Sequence, residues 1–186
     1  MERGLEEDEE EQRVMEDYTQ FSTFFYPKSI AVIGVSLAEN NLGKNIVLNC
    51  LHFGYPGEIV SVGLSKGVAF GQRIYQSIEQ VKRDIDLAVI LTPAKTIPGI
   101  LEVCGRKGIK HAVIESGGFS ELGKEGEPLE KACLEVARRY GIRFIGPNGI
   151  GVTSLEKGLA LLPMYLRTDI PLGPLTILDQ SGSVCL

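Results

Sequence analysis

The run Ser29-Ile30-Ala31-Val32-Ile33-Gly34-Val35-Ser36 holds the residues best suited to chemistry in this chain. An apolar strand stops at Gly34, a polar loop runs from Val35 to Asn41, and a helical pattern starts near Gly43. Strand, glycine loop and helix start form a phosphate-binding turn, because a helix N-terminus presents unpaired N–H groups and a partial positive charge. Lys44, at the helix start, either serves such an anion or is solvated. Three more turns carry small or polar residues after apolar strands: Thr92-Pro93-Ala94, Glu115-Ser116-Gly117-Gly118 and Gly146-Pro147-Asn148. The carboxyl ends of strands line the ligand crevice in open α/β sheets.

Two features argue against a simple NAD site. Gly34 and Gly43 are too far apart for a GxGxxG turn, and no acidic residue falls between Glu58 and Glu79 to hold a ribose diol. The second strand ends instead in Gly63-Leu64-Ser65-Lys66, where a hydroxyl and an ammonium suit a phosphorylated ribose. NADP and coenzyme A both provide one. Glu115 is unusual for an anion site; it either accepts a hydrogen bond from a ligand amine or hydroxyl, or braces its loop. His52 and His111, the two histidines, read as structural.

The elements that must position these residues follow from hydrophobic pattern. Strands are predicted over 29–34, 58–62, 72–75, 87–91, 111–114 and 143–145, with helices from about 42 to 53, from 94 to about 107 and from 128 to 140. Gly108 and Gly141 stop the last two helices. Leu87–Leu91 is continuously apolar, as expected of a parallel strand buried on both faces. Short loops alternating strand with helix predict an α/β, Rossmann-like parallel sheet with helices on both faces.

Domain organisation divides the chain in three. Residues 1–20 form an acidic lead-in, 21–150 the sheet domain, and 151–186 a linker plus the first strand of a second, truncated α/β domain. That strand is read at Leu175–Leu178 and its turn at Asp179-Gln180-Ser181-Gly182-Ser183. The chain then ends too soon for a helix, so the sequence reads as a fragment. Residues 1–17 carry net −7 against −5 for the whole chain, leaving the body slightly basic at +2. That balance suits a small anionic ligand, with no basic stripe for nucleic acid. No apolar run is long enough to span a bilayer, and Cys50, Cys104, Cys133 and Cys185 form no CxxC pair. The expectation is a cytoplasmic protein with reduced, buried thiols.

The stretch Phe25-Tyr26-Pro27-Lys28-Ser29-Ile30-Ala31-Val32-Ile33-Gly34 resembles the start of the NDP-forming acyl-CoA synthetases, relatives of the succinyl-CoA synthetase α-subunit. Ile114-Glu115-Ser116-Gly117-Gly118-Phe119, Phe144-Ile145-Gly146-Pro147-Asn148 and Gln180-Ser181-Gly182 extend the resemblance across roughly residues 21–186. Some protein acetyltransferases carry a similar module. The resemblance implies a CoA-binding domain that supplies the CoA site for acyl-phosphate to acyl-CoA transfer. It implies that Ser36, Leu37, Ala38 and Glu39 wrap the nucleotide phosphates beside Gly34, and that Lys66 is a CoA-binding lysine. It further implies that Thr92, Pro93, Ile114, Glu115 and Ser116 face the cofactor and that Asn148 lies near the thiol end. Leu64-Ser65 stands where the family often has Asn-Pro, Gly149 where it often has cysteine, and Asp179 where it usually has serine. The family's phosphorylated histidine belongs to a second domain, and neither His52 nor His111 matches it. The implied partners are CoA or acyl-CoA and an ATP-grasp domain or subunit, without which this chain is not expected to turn over. An NADP-binding oxidoreductase domain and a CoA-sensing acetyltransferase module are the alternative readings.

Overall fold

The computed structural model describes residue 18, residues 21–164, residue 166, residues 172–174 and residues 176–179. The acidic run Glu6–Glu11, Cys185 and the turn from Gln180 to Ser183 lie outside the described residues.

Seven strands form one sheet in the order β3-β4-β2-β1-β5-β6-β7. In chain order the elements are β1 (Ser29–Ile33), α1 (Leu42–His52), β2 (Glu58–Val62), β3 (Gly67–Ala69), β4 (Gln72–Tyr75), β5 (Leu87–Ile90), α2 (Ile97–Arg106), β6 (His111–Ile114), α3 (Glu127–Tyr140) and β7 (Arg143–Ile145). All pairings are parallel except β3 with β4. The fold is the mostly parallel α/β sheet that the alternating pattern predicts. Strand β1 has β2 on one side and β5 on the other. Connections therefore leave it in opposite directions, and a crevice opens at the carboxyl ends of β1 and β5.

Burial follows from period-two alternation in strands covered on both faces. Every residue of β1 and β5 is buried. Ala31, Ile33, Ala88 and Ile90 point to the face covered by α2 and α3, where Ile97, Leu101, Cys104, Cys133 and Val136 pack. Ile30, Val32, Leu87 and Val89 point to the face covered by α1 through Ile46, Val47 and Cys50. Phe24 closes the lower end of that second face, edge-on to the His111 ring with centroids 5.1 Å apart. Cys50, Cys104 and Cys133 are buried free thiols, and burial pushes the Cys50 and Cys133 thiols up to about 11 and that of Cys104 to about 12.

The structure departs from the sequence pattern in two places that bear on the site. Between the strands expected at 58–62 and 72–75, Lys66 leads into β3, a three-residue antiparallel edge strand too short to register as periodicity. Beyond residue 150, the stretch read as a linker begins with a hairpin, β8 (Thr153–Ser154) and β9 (Leu159–Ala160). Val152, Leu159 and Leu161 bury against the same face as α1. Each such side chain contributes about 1.5–3 kcal/mol on area arguments. Hairpin and helix thus share the cover of one face. Residues 176–178, inside the stretch read as the first strand of a second domain, are exposed and form no strand, and Leu175 lies outside the described residues.

The strand ends approach so closely that glycine is required there. A β-carbon on Gly63 would lie 1.7 Å from the Val35 carbonyl oxygen, and one on Gly34 would lie 2.0 Å from that of Leu91. Gly34 also holds φ +115°, which side chains resist. We expect Gly63→Ala and Gly34→Ala each to lower stability in urea unfolding by roughly 1–3 kcal/mol or more, the cost of overpacking. A midpoint unchanged from wild type would show that these backbones do not approach as described.

Candidate functional site

The crevice is built around the loop between β1 and α1. The Val62 carbonyl accepts both the Gly34 and Val35 N–H groups, each at 2.9 Å, which ties the loop's start to the end of β2. Asn41 then folds the rest. Its Oδ1 accepts from the Lys44 N–H at 2.9 Å and the Ser36 N–H at 3.1 Å, while its Nδ2 donates to the Gly34 carbonyl at 2.9 Å. One carboxamide caps α1 and closes the loop onto itself. Ser36 Oγ accepts from the Ala38 N–H at 3.3 Å, and Lys44 Nζ donates to the Ala38 carbonyl at 2.8 Å. Sequence reasoning gave Lys44 two roles; the fold sets its ammonium directly over the loop. It overlooked Asn41, whose signal was an N-cap residue type one position before the helix.

These bonds sort the loop's donors. The N–H groups of Ser36, Ala38 and Lys44 are engaged inside the loop. Those of Leu37, Glu39 and Asn40 find no partner among the described residues, and they precede α1, whose first turn Asn41 caps at the Lys44 N–H. Leu37, Ala38 and Glu39 are exposed. The Leu37 side chain reaches Gly67, where a β-carbon would stand 2.8 Å from its Cδ1, so the loop and the turn holding Lys66 adjoin. Lys66 is exposed and has no ion pair with a described residue.

On the far side of the switch point, Ser116 joins three strand ends. Its Oγ accepts from the Thr92 N–H at 3.0 Å, and its carbonyl accepts from the Asn148 N–H at 3.0 Å. The turns after β5, β6 and β7 are therefore tied together, and Pro93 and Asn148 are exposed at their rims. Glu121 braces the same region, accepting from the Gly118 and Phe119 N–H groups, and these bonds hold its carboxyl below the usual range. The Ile114 side chain is fully buried in the core beneath α2 and α3. Only its backbone can serve the crevice. The structure thus brings Gly34, Ser36, Leu37, Ala38, Glu39, Lys66, Thr92, Pro93, Glu115, Ser116 and Asn148 to one end of the sheet, because parallel strands place all their carboxyl ends together.

Glu115 departs furthest from an ordinary surface carboxylate. It is 9% exposed, both carboxyl oxygens are buried without a partner among the described residues, and Gly151 lies against Oε1. Burial raises its pKa to about 9, so the side chain is neutral at pH 7 and puts no negative charge beside an anion. The folded-state value exceeds the ordinary 4.5, so the folded chain holds this proton more tightly than the unfolded chain. Stability from this group is complete below about 4.5 and falls as pH rises toward 9. Glu115→Gln, neutral at every pH, is expected to flatten that decline and to raise stability near pH 8 by on the order of 1–3 kcal/mol. Urea unfolding of both proteins from pH 5 to 9 measures it; parallel pH profiles would show that the carboxyl is already ionised.

Known proteins locate this arrangement. A family model described as CoA binding domain matches residues 28–154. The chain is 40% identical over 164 residues to the α subunit of an ADP-forming acetate–CoA ligase I from Pyrococcus furiosus, covering 86% of this chain and 35% of that protein. It is 32% identical to an ADP-forming 4-hydroxybutyrate–CoA ligase from Nitrosopumilus maritimus, covering 88% of this chain and 23% of that protein. A dinucleotide-forming acetyl-coenzyme A synthetase 1 from Ca. Korarchaeum cryptofilum, solved in its apo form, superposes with TM-score 0.75 at 30% identity, over 81% of this chain and 32% of that one. The chain thus spans about a third or less of the relatives it matches. With this sheet, this switch-point crevice and that match over residues 28–154, the chain belongs to the CoA-binding domain family.

Proposed function

We propose that this chain binds coenzyme A across the crevice and is the CoA-binding part of an ADP-forming acid–CoA ligase. The observation that carries the reading is the loop itself. Three main-chain N–H groups without a partner among the described residues, at Leu37, Glu39 and Asn40, precede the start of α1, with the Lys44 ammonium bonded to the loop at the Ala38 carbonyl. Such a nest suits a pyrophosphate. In this reading Lys66, exposed on the adjoining turn, takes the ribose 3′-phosphate as a charge-assisted partner. Glu115 is neutral and Ser116 is bonded on the far side of the crevice, where Glu121 alone of these keeps a negative charge, which suits the amide-bearing arm of CoA better than a second phosphate. Asn148, at the rim of the last turn, then borders the thiol end.

In this reading the chain's residues hold and orient the thiol carrier. The transfer of an acyl group from acyl phosphate to CoA, and the phosphoryl chemistry before it, need an ATP-grasp domain or subunit. The α-subunit name of one relative and the part-length match to the others support a larger assembly. Calorimetry with CoA, 3′-dephospho-CoA and NADP tests the proposal. CoA should bind, and NADP should not compete. Lys66→Ala should weaken CoA by about 1–3 kcal/mol, the worth of a charge-assisted hydrogen bond, while leaving dephospho-CoA nearly unchanged. Binding of NADP without CoA would overturn the assignment, and equal losses for both CoA forms would remove Lys66 from the 3′-phosphate.

A further inference from the structure

Helix α1 carries asparagine at three positions four residues apart, Asn41, Asn45 and Asn49. Residues at this spacing share one side of a helix. Asn41 works at the helix start, folding the ligand loop. The other two reach across more than a hundred residues of sequence to the strap that follows β9, residues 160–166. Asn45 Nδ2 donates to the Pro163 carbonyl at 2.9 Å. Asn49 Nδ2 donates to the Leu162 and Met164 carbonyls at 3.1 and 2.7 Å, and its Oδ1 accepts from the Leu166 N–H at 3.2 Å. Three successive strap carbonyls are thus satisfied by carboxamides of one helix. Cys50 Sγ meets the Ala160 carbonyl two residues before the first of them, at 3.5 Å.

A strap on a helix flank has no strand edge to pair with, so its peptide groups need side-chain partners. A carboxamide offers donors and an acceptor at once, as a strand edge does. Asn49 is wholly buried, so with the strap undocked its carboxamide would lose its partners in a site that water reaches poorly. Docking of the strap and seating of α1 on the sheet are therefore one event. Asn41 bonds both the loop, at the Ser36 N–H, and the start of α1, at the Lys44 N–H, so the seating of the helix bears on the shape of the ligand loop.

We propose that Asn45 and Asn49 are positioning residues that couple the strap to the ligand loop, so that CoA in the crevice and a docked strap stabilise each other. The inference rests on the CoA reading above. Linkage makes the effect reciprocal: a ligand that prefers the seated helix must tighten the strap, and a loosened strap must weaken the ligand.

Hydrogen–deuterium exchange across residues 160–166 and calorimetry with CoA, both on this chain, test it. CoA should slow strap exchange by about fivefold or more, the lower end of typical coupling. Asn49→Asp keeps the shape but removes both strap donors, and Asn45→Ala removes one bond from a half-buried position. Both should bind CoA about fivefold or more weakly and lose the ligand-induced protection. Lys66→Ala serves as comparator: it should weaken CoA without altering strap exchange in the free protein. If Asn49→Asp fails to fold, Asn45→Ala decides alone. Heat from CoA with no change in strap exchange, or folded asparagine variants that bind as wild type, overturns the coupling and leaves the CoA reading intact. No heat from CoA in the wild type overturns both.

Discussion

Two N–H groups converge on the carbonyl of Val62, those of Gly34 and Val35, and the geometry of the crevice depends on that meeting. It holds the chain leaving β1 against the end of β2, just where the sheet changes direction. The turn can sit so deep only because Gly34 and Gly63 carry no side chain; a β-carbon on either would overlap a neighbouring carbonyl. With the loop drawn in, α1 begins close behind the end of β1, and Asn41 caps its first turn. The arrangement of the loop's donors is therefore a property of backbone path first and of side chains second.

Side chains refine that path in two opposite ways. On the loop side they keep the donors sorted: Asn41 and Ser36 absorb the N–H groups of Ser36, Ala38 and Lys44, while those of Leu37, Glu39 and Asn40 stay unpaired among the described residues. On the β6 side, Glu121 spends its charge on the Gly118 and Phe119 N–H groups, while burial removes the charge of Glu115. A carboxylate next to an anion site is a liability at full ionisation, yet burial under the Gly151 turn keeps Glu115 protonated. The acid residue that seemed out of place in the sequence becomes neutral through its surroundings rather than through its type.

Helix α1 has one end at the ligand loop and one flank on the strap, with the sheet beneath. Its apolar residues Ile46, Val47 and Cys50 fasten it to the core, and its asparagines make the polar contacts on both remaining sides. The curated relatives differ in the acid that their names give, acetate in one and 4-hydroxybutyrate in another, although this chain aligns with both.

Strand positions, helix positions and the carboxyl-end turns were legible in the sequence, because burial on both faces leaves continuous apolar runs and glycine marks the tight turns. β2, β4, β6 and β7 fall at the residues expected for them. Local patterning also placed Lys66 and Ser116 at strand ends. It could not show β3, which is three residues long, or the hairpin and strap after residue 150, whose partners lie more than a hundred residues earlier. Nor could it assign work to Asn41, Asn45 and Asn49 or a charge state to Glu115. Periodicity reports which side of an element avoids water. Hydrogen-bond partners across the fold, and the dielectric around a carboxyl, exist only once distant segments meet, so tertiary structure alone decided them.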